Sequence, residues 1–208
     1  MIDTLDKLRA RYGTARERSV KKELTSLDAH CVRLIGLSPF LVVASSSTGG
    51  TGGAGDDGML DASPRGGAPG FVKVRDAQTL LIPDASGNNR LDTFTNIIET
   101  GRVGLLFFVP GMDETLRVNG RARLRDEAEF FTPFAQDAKP PKLVIEVTVT
   151  QAYLHCAKAL MRSKLWDARL HLNRATLPSM GEMMRDQIGG DSPAETQAEM
   201  LLRYQADL

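Results

Sequence analysis

Asp61-Ala-Ser-Pro-Arg-Gly-Gly67 opens the stretch that decides the fold, and Glu114-Thr-Leu-Arg-Val-Asn-Gly120 closes it. Between these two motifs lie apolar runs at 71–74, 79–83 and 102–109, and the turn-forming segment Gly87-Asn-Asn-Arg90. Strand-like runs are thus interrupted by small, turn-forming segments that carry arginine. Glycine lets the backbone approach a ligand closely, and arginine presents a planar, permanently charged group suited to phosphate. The pattern predicts a ligand with an anionic group that lies against a β-sheet.

Composition excludes several classes of protein. Of the 208 residues, 42% are apolar and 25% are charged, as in ordinary globular proteins, and 26 basic residues balance 26 acidic ones. This balance gives no reason to expect binding to nucleic acid or to an anionic membrane surface. No apolar run approaches the roughly 18 residues of a membrane-spanning helix, and the acidic start Met1-Ile-Asp-Thr lacks the basic region of a signal peptide. We therefore expect a cytoplasmic protein that binds neither nucleic acid nor membrane.

The two cysteines indicate neither a metal site nor a disulfide framework. Cys31 and Cys156 lie in apolar, periodic surroundings and have no metal-ligand spacing, which predicts buried free thiols. His155 stands beside Cys156, but without a third ligand or a suitably spaced carboxylate a structural histidine is favoured.

Hydrophobic periodicity outlines helices on either side of a β region. We predict a short helix over 1–12 that ends near Gly13, and an amphipathic helix over about 20–35 that stops before Ser38-Pro39. The β region runs over 38–155, and a C-terminal helical segment over 156–208 contains helices near 179–188 and 193–206. With the N-terminal segment 1–37, these parts are predicted to form a single domain of residues 1–208.

Short strands dominate the middle of the chain. The glycine-rich segment 46–58 lacks the Gly-Lys-Ser/Thr ending of a phosphate loop and is predicted to be a flexible hairpin connection. A short helix over 91–99 is predicted to be capped by Asn88 or Asn89. Seven or so short strands with irregular helices between them predict an antiparallel barrel and not an alternating parallel sheet.

Several motifs in this order resemble the pyridoxamine 5′-phosphate oxidase-like, FMN-binding split-barrel proteins, and among them a bacterial flavin-nucleotide-binding subgroup. The motifs are Asp61-Ala-Ser-Pro-Arg-Gly66, Pro69-Gly-Phe-Val72, Leu81-Ile-Pro-Asp84, Gly87-Asn-Asn-Arg90, Arg102-Val-Gly-Leu-Leu-Phe107, Glu114-Thr-Leu-Arg-Val-Asn-Gly120 and Tyr153-Leu-His-Cys-Ala-Lys158. The resemblance implies a mainly β (α+β) fold: a six-stranded antiparallel split β-barrel with N- and C-terminal helices. It also implies a homodimer that holds FMN at the subunit interface.

The resemblance further implies a set of FMN contacts. In the family two basic residues hold the FMN phosphate. The positions that match them here are Arg65, or less directly Lys73, and Arg90 with Asn89 beside it. Thr115 stands where the family has a polar contact to the flavin ring, and the true oxidases have glutamine there. The full set of candidate cofactor-binding residues is Ser63, Arg65, Gly66, Phe71, Val72, Lys73, Asn89, Arg90, Asn96, Thr115, Arg117, Lys158, Arg162, Ser163 and Trp166.

Each polar candidate also has a purely structural interpretation. Arg65 suits a surface turn, Asn96 the polar face of a helix and Arg117 a solvated cross-strand pair, while the Ser63 and Thr115 hydroxyls can bond local backbone. The side chain of Lys73 points either to solvent or to the ligand. The cluster Lys158, Arg162, Ser163 and Trp166 forms either a surface helix with a packing anchor or a contribution to the flavin pocket of a second subunit.

The resemblance implies a flavin-dependent oxidoreductase that acts on an unidentified small molecule. The oxidases carry a C-terminal Arg-x-His motif that grips the substrate phosphate, whereas this chain ends Tyr204-Gln-Ala-Asp-Leu208, so pyridoxamine phosphate is not the expected substrate. No catalytic residue is predicted, because the hydride chemistry of a flavin enzyme resides in the cofactor. Two alternatives stay open: a non-catalytic flavin carrier or sensor, and a binder of haem or a deazaflavin with the same fold.

Overall fold

The computed structural model describes residues 1–49, 58–85, 87–137, 139–190 and 193–205. The chain divides into two compact units, one formed by 1–85 and 90–163 and the other by 86–89 and 164–208. The organisation as a single domain stays a prediction. Most of the connection predicted at 46–58 lies outside the described residues.

The first unit contains one antiparallel sheet. Its strands are β1 Phe40–Ser46, β2 Leu60–Gly66, β3 Lys73–Asp76, β4 Thr79–Pro83, β5 Arg102–Phe108, β6 Thr115–Arg125 and β7 Val144–His155. Their order is β2-β1-β5-β6-β7-β4-β3, so the hairpins β1–β2 and β3–β4 occupy the two edges. The predicted antiparallel split barrel is confirmed. The described part of the chain has seven strands, one more than the resemblance implies, because the motif around Pro64 is itself an edge strand, where a residue without N–H is tolerated.

Alternation along each strand separates an inner face from an outer face. In β1, Leu41, Val43 and Ser45 are buried, whereas Phe40 and Ala44 are exposed. The inner side chains of all the central strands join one apolar core, in which Phe107 and Ile82 are completely buried. Core packing of this kind is the main stabilising contribution to the sheet.

A β-bulge shifts the register of β6 with β7 between Asn119 and Gly120, with Thr150 of β7 as the extra residue. A Cβ atom at Gly120 would overlap the carbonyl oxygen of Thr148, so this position accepts only glycine without a local shift. The bulge lets β6 pair with one part of β7 over 115–119 and with another over 120–125.

Six α-helices accompany the sheet in the described part of this unit. They are α1 Leu5–Tyr12, α2 Glu17–Lys21, α3 Ala29–Leu37, α4 Asp92–Thr100, α5 Ala128–Phe131 and α6 Lys158–Ser163, with a 3-10 turn Thr132–Phe134 after α5. The predicted first helix is confirmed, since α1 ends at Tyr12 and Gly13 forms its C-cap. The predicted end of the next helix before Ser38 is also confirmed.

The prediction of one amphipathic helix over 20–35 is wrong. The chain between α2 and α3 leaves the helical conformation, because Leu24 exchanges two backbone hydrogen bonds with Ala152 of β7, at 2.9 and 2.8 Å. Leu27 donates a further backbone bond to Ala77, and Asp28 then caps α3 by accepting from the N–H of Cys31. Pairing with a free stretch of strand thus outweighs the helical preference of this segment.

The two cysteines differ. Cys31 is buried as predicted, and its burial raises the pKa of the thiol to about 11, so the thiolate is scarce at neutral pH. The prediction that Cys156 is buried is wrong, because it follows the last residue of β7, where the chain leaves the core, and is exposed.

The second unit is helical where it is described. It contains 3-10 turns Ala168–Leu170 and Arg174–Thr176, and the helices α7 Met180–Ile188 and α8 Gln197–Gln205. Ser179 and Glu182 form a capping box at the start of α7. The two helices predicted for the C-terminal segment are therefore confirmed. No helix in the described ranges has the length and apolarity needed to cross a membrane.

Candidate functional site

The inner row of the edge strand β2 is polar. Asp61, Ser63 and Arg65 lie directly opposite Ser45, Val43 and Leu41 of β1, and residues opposite one another share a face. These three side chains are partly buried, whereas the residues between them are exposed. The motif that begins at Asp61 therefore points its polar side chains to the side of the sheet on which the core lies.

Helix α4 packs against this polar row. Thr93 Oγ1 donates to Asp61 Oδ2 at 2.6 Å, and Arg65 Cζ lies 5.8 Å from the ring centroid of Phe94. Asn96 Nδ2 donates to Ser45 Oγ of β1 at 2.9 Å, and both side chains are buried. We call this arrangement the β2–α4 site; it comprises Ser45, Asp61, Ser63, Arg65, Asp84, Thr93, Phe94 and Asn96.

Arg65 is the positively charged member of the β2–α4 site. In the described part of the chain its guanidinium makes no hydrogen bond or ion pair. Asp84, just beyond β4, is near enough to be affected by it: burial raises the pKa of the Asp84 carboxyl, and the positive charge of Arg65 opposes that increase. A partly buried guanidinium with five unused N–H donors is suited to an anionic ligand.

The backbone before α4 is strained and leaves the start of that helix open. The N-cap is Leu91, with φ 61° and no side-chain cap, so the predicted capping by Asn88 or Asn89 is wrong. Asn89 itself adopts the left-handed region, at φ 59°, whereas an N-cap residue that bonds the helix has an extended backbone. Arg90, between these two residues, is exposed and donates from Nε to Asp92 Oδ2 at 2.9 Å. The uncapped N–H groups of α4 favour an anion.

The apolar candidates have structural surroundings. Phe71 and Val72 are buried in the main core, and Gly66 ends β2 opposite Phe40. Asn96 likewise has its hydrogen bond to Ser45 within the protein. A ligand contact of these four residues stays a prediction.

Lys73 lies on the other side of the sheet from Arg65. It is opposite Leu81 in β4, while its neighbour Val74 packs against the core. Its Nζ donates to the Gly70 carbonyl at 3.3 Å and lies 3.7 Å from an Asp137 carboxylate oxygen. Lys73 is therefore already paired within the protein, on the face away from the β2–α4 site.

Thr115 and Arg117 lie on the outer face of β6. Leu116, between them, faces the core and aligns through Phe107 and Leu41 with Arg65, three strand spacings or about 14 Å away. Thr115 is buried and lies opposite His155, whereas Arg117 is exposed and donates to the Tyr153 hydroxyl at 3.0 Å. The structure thus does not bring Thr115 and Arg65 of one chain together.

The remaining candidates lie after β7. Lys158, Arg162 and Ser163 are exposed on α6, where Ser163 Oγ donates to the Leu160 carbonyl at 3.0 Å. Asn89 and Trp166 belong to the second unit, and Trp166 is partly buried there. Their part in a flavin pocket stays a prediction.

Sequence reasoning missed several residues that build the β2–α4 site. Ser45, Thr93 and Phe94 gave no motif signal, because a hydroxyl or a ring acquires its role only from the partner it meets. Asp61 and Asp84 stood inside quoted motifs, but nothing in the sequence showed that one accepts from α4 or that the other is buried near Arg65.

The sequence matches a family model described as pyridoxamine 5′-phosphate oxidase over residues 27–156. Three bacterial proteins are among the similar solved structures. HupZ of Group A Streptococcus is 17% identical, and the match covers 62% of this chain and 93% of HupZ with a TM-score of 0.49. An FMN-binding protein from Syntrophomonas wolfei subsp. wolfei is 12% identical, and the match covers 73% of this chain and 97% of that protein with a TM-score of 0.42. The FAD binding protein from Mycobacterium smegmatis is 20% identical, and the match covers 64% of this chain and 97% of that protein with a TM-score of 0.41. No curated protein matches the sequence.

Proposed function

The chain belongs to the pyridoxamine 5′-phosphate oxidase family, and on this premise we propose that it binds FMN and is a flavin-dependent oxidoreductase that acts on a small molecule. One observation supports this most strongly: Arg65 is a partly buried guanidinium without a hydrogen bond or ion pair to any described residue, and it lies over the Phe94 ring of α4, a helix whose N-cap residue makes no side-chain cap. A phosphate would supply acceptors to both.

The residues of the β2–α4 site fit the phosphate end of FMN. Arg65 is held by the ring of Phe94 while its N–H donors stay available, so the charge is oriented before the ligand binds. Ser63, on the same face of β2, adds a hydroxyl, and the N–H groups at the start of α4 add donors. We assign the phosphate to Arg65 and α4, with Arg90 as a further contact.

The flavin ring is assigned to the outer face around Thr115. Since Arg65 and Thr115 of one chain lie on opposite faces, one FMN contacts both only if it passes around the β2 edge or is shared by two chains. The outer face also carries partly exposed apolar side chains, including Phe40 and Phe108, whose ring centroids are 5.9 Å apart. Both features support a homodimer with FMN at its interface.

The flavin supplies hydride transfer when it is bound, and the protein positions it and sets its polarity. Pyridoxamine phosphate is not proposed as the substrate, because Thr115 stands in the place of the oxidases' glutamine. The reaction partner is instead a small molecule that fits beside Thr115.

The test begins with the visible spectrum of the purified protein and with FMN titration of the flavin-free protein. We expect a flavin absorption band, and at least about tenfold tighter binding of FMN than of riboflavin, which lacks the phosphate. Riboflavin that binds as tightly as FMN would contradict the phosphate assignment. A haem spectrum would show that the cofactor is haem and not FMN. Uptake of a deazaflavin but not of FMN would show that the cofactor is a deazaflavin.

Two further measurements separate the enzyme from a carrier and the dimer from a monomer. Reduction of the bound flavin by NADPH or NADH, followed by reoxidation by an added acceptor, is expected of an oxidoreductase, whereas a carrier would hold the flavin without turnover. Light scattering should give a dimer that Phe108→Glu dissociates. A monomer that retains FMN would contradict the interface assignment.

A further inference from the structure

Basic side chains converge on one aromatic ring near the end of β7. Around the ring centroid of Tyr153, Lys22 Nζ lies at 5.4 Å, Arg117 Cζ at 5.7 Å and the ring centroid of His155 at 5.2 Å. We call Lys22, Arg117, Tyr153 and His155 the Tyr153 cluster. It lies outside the β2–α4 site and on the other face of the sheet.

The cluster is assembled from distant parts of the chain. The backbone pairing of Leu24 with Ala152 brings Lys22 to the end of β7, where Nζ donates to the Leu154 carbonyl. Arg117 of β6 stands directly opposite Tyr153 and donates to its hydroxyl at 3.0 Å. The same register places Thr115 opposite His155.

Positive charge in the cluster is not balanced within the described residues. Lys22 and Arg117 bond only neutral oxygens there and form no ion pair with a carboxylate. Burial and then the charges of Arg117 and Lys22, the charged groups that act on it, lower the pKa of His155. The Nε2 atom of His155 is buried and has no hydrogen-bond partner in the described part of the chain.

The two cations Lys22 and Arg117 repel one another, and an anion that lies between them offsets this repulsion. The donors for such an anion are present. Arg117 uses only one of its N–H groups on Tyr153, and the Tyr153 hydroxyl, which accepts that bond, still has its own hydrogen to donate. The ammonium of Lys22 likewise has hydrogens beyond its bond to Leu154.

We propose that the Tyr153 cluster is a second anion site, which binds the carboxylate or phosphate group of a small molecule. Its role as a substrate subsite depends on the proposed function: Thr115, the expected contact of the flavin ring, lies opposite His155 on the same face. The anionic group held by Lys22, Arg117 and Tyr153 is then that of the flavin's reaction partner, separate from the FMN phosphate at Arg65.

The imidazole signals of the flavin-free protein in NMR test this site directly. Sodium phosphate and, separately, sodium acetate are titrated at constant ionic strength with chloride, so that general screening stays fixed. We expect a saturable change of the His155 signal and a rise in the pKa of His155, since a bound anion offsets the two charges that lower it. The signals of His30 and His171 serve as internal controls for the fold. Stronger binding of phosphate would indicate a phosphate group, and equal binding of acetate a carboxylate.

Variants locate the anion. Arg117→Met and Lys22→Met should each weaken binding of the probe anion by about tenfold. Arg123→Met removes an exposed arginine from the same strand outside the cluster and should leave it unchanged. Lys22→Met, at a residue outside the candidate FMN contacts, should also leave FMN affinity within about twofold of the unchanged protein.

Three outcomes would overturn the proposal: no saturable change of the His155 signal with either anion, an equal effect of Arg123→Met, or loss of FMN affinity in Arg117→Met without any effect on the probe anions. The last outcome would assign Arg117 to the flavin. Failure of the unchanged protein to bind FMN would contradict the proposed function alone, while a saturable His155 response would still establish the anion site.

Discussion

The two edges of the sheet use the same kind of contact with opposite results. Near the β3–β4 edge, Arg75 of β3 and Arg125 of β6 lie 5.1 and 4.9 Å from the ring centroid of Phe130, and both pair with Glu146 of β7, at 3.9 and 2.8 Å. At the β1–β2 edge, Arg65 lies 5.8 Å from the ring centroid of Phe94 and has no ion pair in the described residues.

The difference separates a structural use of arginine from a binding use. Glu146 and the Phe130 ring are partners of both Arg75 and Arg125, so these two charges are already used within the protein. At the β1–β2 edge the aromatic ring orients the guanidinium while its charge stays unpaired. A cation held in place but unpaired is the arrangement expected where an anion binds.

The largest effect is expected from removing Arg65 together with Arg90, the two arginines assigned to the FMN phosphate. Arg65→Ala combined with Arg90→Ala should weaken FMN binding by about 3 kcal/mol or more, since charge-assisted hydrogen bonds contribute about 1.5 to 3 kcal/mol each. Fluorescence titration of the flavin-free protein measures this. The matched control, Arg102→Ala with Arg123→Ala, removes two exposed arginines outside the site and should bind FMN normally. Unchanged affinity in the first variant would show that the two edges do not differ as described.

At the opposite edge, the expected effect is on stability and not on the ligand. Glu146→Gln leaves Arg75 and Arg125 without their carboxylate and should lower the free energy of unfolding by about 1 to 3 kcal/mol, with FMN affinity unchanged. Urea denaturation measures this loss, and Glu129→Gln, on the exposed side of α5, is the control. A loss of FMN affinity would show that the ligand binds near Glu146, and would contradict its assignment to Arg65.

Strain provides a finer comparison, because the backbone before α4 is held in a conformation that leucine disfavours. Leu91→Asn should raise the free energy of unfolding by about 1 kcal/mol, since asparagine tolerates a positive φ and the exposed leucine loses little packing. Leu37→Asn, at a similarly exposed leucine in a right-handed helix, should give no gain. Equal effects of the two changes in thermal denaturation would show that Leu91 carries no strain.

The smallest effect concerns Asp84, which follows β4 and is near enough to Arg65 for its carboxyl to be affected by the positive charge. Burial raises the pKa of its carboxyl above the ordinary value of 3.8 in spite of Arg65. Below pH 3.8 the group is protonated in both folded and unfolded protein, and the destabilisation appears as pH rises through the raised pKa of the folded state. Asp84→Asn should therefore raise the melting temperature at pH 7 but not in acid. A drop at pH 7 would show that Arg65 contributes more than burial does.

Much of the fold was predictable because it depends on local preferences. The strand over 79–83 and the end of α3 before Ser38 follow from β-branched runs and proline, and these signals need no knowledge of distant residues. The helix predicted over 20–35 failed because Leu24 finds a partner in Ala152, far along the chain. Periodicity reports which residues are apolar, and it does not report which backbone groups of a remote strand lack a partner.

The candidate site divides in the same way. Residue type and order alone predicted Arg65 and Arg90 as contacts of an anionic ligand, although Arg65 lies in the strand β2 and not in a turn. The contacts in space were needed to show that Arg65 has no ion pair among the described residues, that Lys73 pairs with Asp137, and that Lys22 lies over the ring of Tyr153. Whether a charge is available to a ligand depends on its neighbours in space, and pairing across strands is what brings those neighbours together.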